Sequence, residues 1–451
     1  MPQTTATSTP QLSIILEPHP SNLPHKPGDT ISGRVYRTAQ GVAPEARVTV
    51  ALHGRTKTKL QIRRGQNTHT YRSAFNALNP ASGHVENQAQ VLAAGAPIHI
   101  PEGGQGESWR FALTIPDLVS DVRDKWQRKY FFAPGGSGVS GGEEVGVFPP
   151  PVTFFWEGDN WFTGKRGHGF TEYYVQATIQ LVRQDRRTEH TAIAPFPLRN
   201  VYPGLPVTDF GIQPCTKRTV IQAYRLVPGY GDAKLSFGQK TRQMFGSSKV
   251  PRLTLIVTMG LPSFLQVANP NIIPVTIKID PVTTPGMTSE ELYDIPQDVM
   301  IKSFSLRIKP RTAIQAERHG FDRSSDEVKL LPTGTYAFFR KDFSITVTPT
   351  AAAASEAKSG TGGTFNLGEG LGIRVPESGL HHDLVTYNIV RSHELIWEVE
   401  GIVAGEDFKV GSSQPVKVLP GPELLGAPVP GPALPDGRHS PLWGGFTADL
   451  S

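Results

Sequence analysis

Apolar and polar residues alternate along this chain with a period of two in several separate stretches. Residues 30–37 (TISGRVYR) put Ile31, Gly33, Val35 and Arg37 on one side and Thr30, Ser32, Arg34 and Tyr36 on the other. That is the pattern of a half-buried strand. Residues 46–53 (ARVTVALH) alternate again, with Val48, Val50 and Leu52 in register. The same side then continues as Gly54, Thr56 and Thr58, while Arg55, Lys57 and Lys59 share the other side with Ala51 and His53. Runs at 12–16, 109–115, 152–156 and 170–183 predict further strands, the last long and rich in β-branched and aromatic residues. Residues 119–130 read as one short helix, 19–29 as turn material and 134–151 as a flexible Gly-rich loop.

Residues 195–214 hold five prolines and little periodicity, which predicts a hinge between two domains. Beyond it strands are expected at 217–227, 233–237, 252–260, 273–280, 299–309, 342–348, 364–375, 384–391 and 394–403. Residues 351–363 read as a low-complexity loop, and 420–451 as a Pro/Gly-rich disordered tail. Many short strands with almost no helix predict an all-β fold of two tandem immunoglobulin-like β-sandwiches, at 11–194 and 215–419.

Length agrees, since 451 residues exceed one typical core. The net charge of +5 is mild and mixed in sign, so nucleic acid is not an expected partner. One cysteine, Cys215, excludes an internal disulfide framework and a cysteine-based zinc site. No run approaches the ~18 apolar residues of a membrane-spanning helix. These features lead to the expectation of a cytoplasmic protein.

Some strings look chemical. Gly136–Gly141 matches G-x-G-x-x-G and Gly138–Gly142 matches G-x-S-x-G, but prolines 149–151 follow where a phosphate-binding helix or nucleophile elbow would be needed. His381-His382-Asp383 has no second ligand cluster at zinc spacing and reads as a solvated loop. No cofactor, metal or catalytic residue is expected.

Basic positions carry more. Arg55, Lys57 and Lys59 project from one strand face, and Arg63 and Arg64 extend the run, a candidate surface for acidic or phosphorylated segments. The competing reading is a charged sheet edge protected from aggregation. Arg123, Lys125, Arg128 and Lys129, interleaved with Trp126 and Tyr130, would form a basic amphipathic helix suited to an anionic membrane surface. Lys302, Arg307, Lys309 and Arg311 form another basic stretch, and the tail prolines from Pro422 to Pro435 suit a polyproline reader.

The order of these segments resembles the arrestin-like family. Pro27-Gly28-Asp29-Thr30-Ile31-Ser32-Gly33-Arg34-Val35 matches the P-G-D-x-I-x-G-x-V pattern of arrestin N-terminal domains. VTVALHGRTKTKL, WRFALTIP and YYVQATI are similar to later strands of that domain. LTLIVTMGLPSFLQVANPNIIPVTIKI and IKSFSLRIKPRTAI resemble the fungal arrestin-like C-terminal domain. The resemblance implies a trafficking adaptor of α-arrestin type, which binds cytoplasmic tails or loops of membrane proteins, is recruited to plasma membrane or endosomes, and couples cargo to ubiquitination and endocytosis. The family recruits ubiquitin ligases through PPxY. Pro149-Pro150-Pro151-Val152 lacks the tyrosine, so a ligase is expected only indirectly. Long interstrand loops at 76–107 and 133–151 also depart from the family pattern. The alternatives are a coat- or retromer-like sorting scaffold of the same fold and, more remotely, an enzyme with its site in the inter-domain cleft.

Overall fold

The computed structural model describes residues 4–78, 88–120, 125–132, 147–183, 186–230, 236–245, 247, 249–325, 327–331, 343–350, 364–376 and 379–423. The chain is mostly β, in several antiparallel sheets. Among the described residues no helix is long and apolar enough to cross a membrane.

The N-terminal half begins with β1 (Ser13–Leu16), β2 (Thr30–Arg37), β3 (Gly41–Arg64), β4 (Asn67–Leu78), β5 (Ala89–Ile100), β6 (Glu107–Thr114) and β7 (Val119–Ser120). Helix α1 (Lys125–Tyr130) follows, then β8 (Val147–Phe148), β9 (Phe154–Asn160), β10 (Lys165–Arg183) and β11 (Arg186–Phe196). One sheet has the order β1-β2-β6, and a larger one the order β11-β10-β3-β4 with β5 on β3 and β9 on β10. Strand β3 is its spine. It pairs with β10 from Glu45↔Val182 to Ile62↔Lys165, and on its other side with β5 and then β4. Ile31, Val35, Phe111 and Leu113 of the small sheet and Val48, Val50, Leu52, Val175 and Ile179 of the large one form a single core. Each fully buried aliphatic side chain of this size stabilises by about 1.5–3 kcal/mol.

The C-terminal half contains β12 (Ile212–Gln222), α2 (Phe237–Met244), β13 (Arg252–Pro262), β14 (Phe264–Gln266), β15 (Thr276–Pro281) and β16 (Gln297–Ala316). It continues with β17 (His319–Ser324), β18 (Val328–Lys329), β19 (Ser344–Val347), β20 (Phe365–Asn366), α3 (Leu367–Leu371), β21 (Leu384–Val385), β22 (Ile389–Val403) and β23 (Glu406–Leu419). Strands β12-β13-β15-β20 form one sheet, and β14-β23-β22-β16-β17 the path of another. Both supply a second core, including Leu255, Val257, Ile277, Leu306, Ile308, Leu395 and Trp397.

Several expectations need correction. The loop expected at 76–107 contains the end of β4 and all of β5, whose ladder to β3 runs from Gly41↔Ile100 to Ala51↔Ala89. Of the helix expected over 119–130, Lys125–Tyr130 is helical, whereas Val119 and Ser120 pair with β8; residues 121–124 lie outside the described set. The strand expected at 364–375 is limited to Phe365–Asn366 and is followed by helix α3, where Asn366 Oδ1 accepts from Glu369 N and Gly372 ends the turn at φ 62°. The strand expected at 384–391 is a tight hairpin: Thr386 Oγ1 accepts from Ile389 N at 2.9 Å and folds β21 back on β22. At 233–237, only Ser236 and Phe237 are described, and they cap and open α2. The connector 195–214 is anchored at both ends, with Phe196 and Leu198 in the first core and Phe210 in the second. Residues 420–423 return to it: Tyr202 N donates to Gly421 O at 2.8 Å. The two glycine motifs at 136–142, the loop at 351–363 and the rest of the tail lie outside the described residues.

The two halves are joined by packing. Leu60, Ile62 and Trp156 of the first half meet Ile314, Phe321, Leu384 and Ile389 of the second. Gly167 makes this approach fit, since a Cβ there would stand 2.7 Å from both Ile314 and Phe321. Tyr387 goes further and sits in the N-terminal core against Phe75 and Phe148, its hydroxyl donating to Ser120 O at 3.2 Å.

Candidate functional site

The site is built on β3, whose two faces do different work because successive side chains point opposite ways. Burial alternates without a break from Ala46 to Ile62. The inner side runs from the N-terminal core into the joint, where Thr58 Oγ1 donates to Gln315 O at 2.6 Å and Asn388 Nδ2 is 3.2 Å from that hydroxyl. The outer side carries Arg55, Lys57 and Lys59. Pairing sets Arg55 opposite Glu172, Lys57 opposite Phe170 and Lys59 opposite His168 on β10, with Arg72 opposite Lys59 on β4.

Arg55 differs from its neighbours. Its Nε donates to Glu172 Oε1 at 2.6 Å, its Nη2 to Thr4 Oγ1 at 3.0 Å, and its guanidinium lies 5.1 Å from the Tyr174 ring centre. The Glu172 side chain is 0 % exposed and takes a second hydrogen bond, from Thr4 N. A buried carboxylate needs such compensation. Arg55 is therefore chiefly an internal counter-ion.

Lys57 and Lys59 are half-buried, and their ammonium groups are held below the ordinary lysine range. Burial is the first cause for each. Arg55 adds to it at Lys57, opposed by Glu172, and Arg72 and Arg166 add to it at Lys59. His168, buried beside Lys59, is also lowered by burial, with Glu157 opposing and Arg166 and Lys59 assisting. Glu157 pairs with Arg166 at 2.5 Å. The face thus concentrates cations from three strands around Lys59. Arg63 and Arg64 lie at the exposed end of β3, where Arg63 Nε donates to Gly65 O at 3.2 Å. They continue the strand without joining this group.

Sequence reasoning missed Glu172, Arg72, Arg166 and His168, since strand pairing rather than sequence proximity brings them in. Glu172 did leave a signal, a lone acid inside the apolar and aromatic run of 170–183.

The candidate membrane helix is partly engaged elsewhere. Trp126 is 45 % exposed, but the Arg318 guanidinium, from the β16–β17 turn, lies 5.7 Å from its ring centre and 5.3 Å from that of Tyr130. Lys129 Nζ lies 5.5 Å from the Tyr130 ring centre, and Arg128 is half-buried. Arg123 and the Lys125 side chain fall outside the described set. Three of the four cations in the 302–311 stretch are paired internally: Lys302 with Asp407, Arg307 with Glu327 at 2.7 Å, Arg311 with Asp322. His381-His382-Asp383 is not simply a solvated loop, because Asp383 pairs with the buried His393 at 2.6 Å and burial lowers the pKa of His382. Cys215 Sγ lies 3.4 Å from Trp397 Nε1 and packs against the second core. No family model matches this chain, and no curated protein matches it.

Proposed function

We propose that the protein is a binding adaptor of arrestin-like architecture, with each core enclosed by two sheets as a β-sandwich and the two sandwiches in tandem at about 11–194 and 215–419. It engages acidic or phosphorylated cytoplasmic segments of membrane proteins on the outer side of β3. The observation that carries this reading is the gathering of Lys57, Lys59, Arg72 and Arg166 on one face, where burial first, and then repulsion from Arg72 and Arg166, holds Lys59 below its ordinary range. An incoming anion relieves that repulsion, and phosphate or carboxylate groups are the natural ligands of such a cluster.

Binding of a fluorescent acidic phosphopeptide, followed by anisotropy, tests the reading. Reversing Lys57 and Lys59 to glutamate should weaken binding by more than about tenfold, or ~1.4 kcal/mol. Binding should also fall with added salt. Equal affinity for K57E/K59E and wild type would remove the site, and a weak effect there with a strong one in R63E/R64E would move it to the β3 end.

A further inference from the structure

The segment between β1 and β2 carries a different cluster, remote from β3 in its chemistry. His19, His25 and Asp29 each offer one ligand atom, and all three atoms lie within 4.8 Å of one another. His19 Nε2 is 3.2 Å from Asp29 Oδ2. A simple ion pair would account for those two residues. It leaves out His25, which is 7 % exposed and whose Nδ1 is buried with no hydrogen-bond partner among the described residues. The His25 ring meets His19 and Phe196 edge-on, with centres 5.0 and 5.6 Å away. Buried polar groups are normally satisfied, and this orphan nitrogen belongs to a ring that offers a ligand atom to the His19–Asp29 pair.

The surroundings are built to hold these groups. Ser21 Oγ lies 2.7 Å from His19 Nδ1, leaving Nε2 turned to Asp29. Lys26 N donates to Asp29 Oδ2 at 2.8 Å, and Arg199 N donates to the His25 carbonyl at 2.8 Å. Outer hydrogen bonds of this kind fix the orientation of metal ligands.

We propose that His19, His25 and Asp29 bind a first-row divalent cation, with Zn2+ the best fit and water completing the shell. Two imidazoles and one carboxylate suit Zn2+ and its borderline neighbours. Ca2+ and Mg2+ prefer oxygen ligands throughout. Because His25 pairs with Leu198 at the start of the connector, the ion would pin the β1–β2 segment to the chain linking the two halves.

The test is calorimetric titration of the chelator-stripped full chain with ZnCl2, beside absorption spectra with CoCl2. One site per chain is expected, with Co2+ bands lacking thiolate charge transfer. The variants H19A and D29N should weaken Zn2+ binding by at least about tenfold, as loss of a ligand demands. H19A removes a ring that is only half-buried, and circular dichroism verifies its fold. H382A, in the other histidine cluster, should bind as wild type does. No Zn2+ uptake by the wild type, or uptake unchanged in H19A and D29N, overturns the proposal. Loss of binding in H382A alone would do the same.

Discussion

Replacing Arg55 with alanine distinguishes a strut from a ligand contact. At 2.6 Å the Arg55–Glu172 pair has a gross attraction of about 6 kcal/mol at an effective dielectric of ~20. Much of that offsets the cost of burying the carboxylate. Removing one partner of a buried pair costs about 3–5 kcal/mol, because the other charge stays behind. The Arg55 side chain is 28 % exposed and Glu172 keeps its hydrogen bond from Thr4 N, so the lower end applies, about 3 kcal/mol. Urea unfolding of the full chain should show this loss for R55A, whereas K57A and K59A, which strand no buried carboxylate, should cost less than R55A. In R55A/E172Q the stranded charge is gone and part of the loss should return. The reasoning is refuted by an R55A protein as stable as wild type that no longer binds acidic peptide; Arg55 would then be a ligand contact.

Two further outcomes follow from the geometry. Tyr387→Phe loses one hydrogen bond and should cost about 1 kcal/mol, while Tyr387→Ala also empties an aromatic site and should cost about 3–5 kcal/mol. In the alanine variant, hydrogen exchange should quicken in the N-terminal core, although the substitution lies in the C-terminal half. His168 is lowered from 6.5, so the unfolded chain takes up its proton first as pH falls. Its contribution is complete above 6.5 and is lost as pH drops from there toward the folded value. H168Q should therefore lose less stability than wild type between neutral and mildly acidic pH, read from urea midpoints. Equal slopes would show that His168 does not titrate differently in the folded protein.

Strands announced themselves where large apolar side chains on one side alternated with polar ones on the other. Residues 30–37 are strand to the residue, and Val48, Val50 and Leu52 do face the N-terminal core. Segments such as β5, β11 and β23 were missed because they alternate weakly, with small or polar residues in AQVLAAGAPIHI, RRTEHTAIAPF and EDFKVGSSQPVKVL. Their ladders to β3, β10 and β22 hold them extended, a tertiary effect that local propensity does not report. The basic positions of β3 were legible, but their fates were not. Arg55 and Lys59 look alike in GRTKTK, and only the β10 register gives one a buried carboxylate and the other a histidine. His25 was invisible for the same reason: a turn-rich segment says nothing of which ring it will bury.

The two-sided build of β3 sets its inner and its outer face by one count of residues. Deleting one residue between Gly54 and Lys57 would reverse the parity of everything beyond it, since a one-residue slip exchanges the faces of a strand. Lys57 and Lys59 would then enter the joint, and Leu60 and Ile62 would face outward. Paired changes of two residues preserve parity, but they slide the ladder against β10 and withdraw Leu60 and Ile62 from Ile314 and Phe321. Natural variation in this strand should therefore proceed by substitution, with length changes confined to the turn at Gly65 and Gln66.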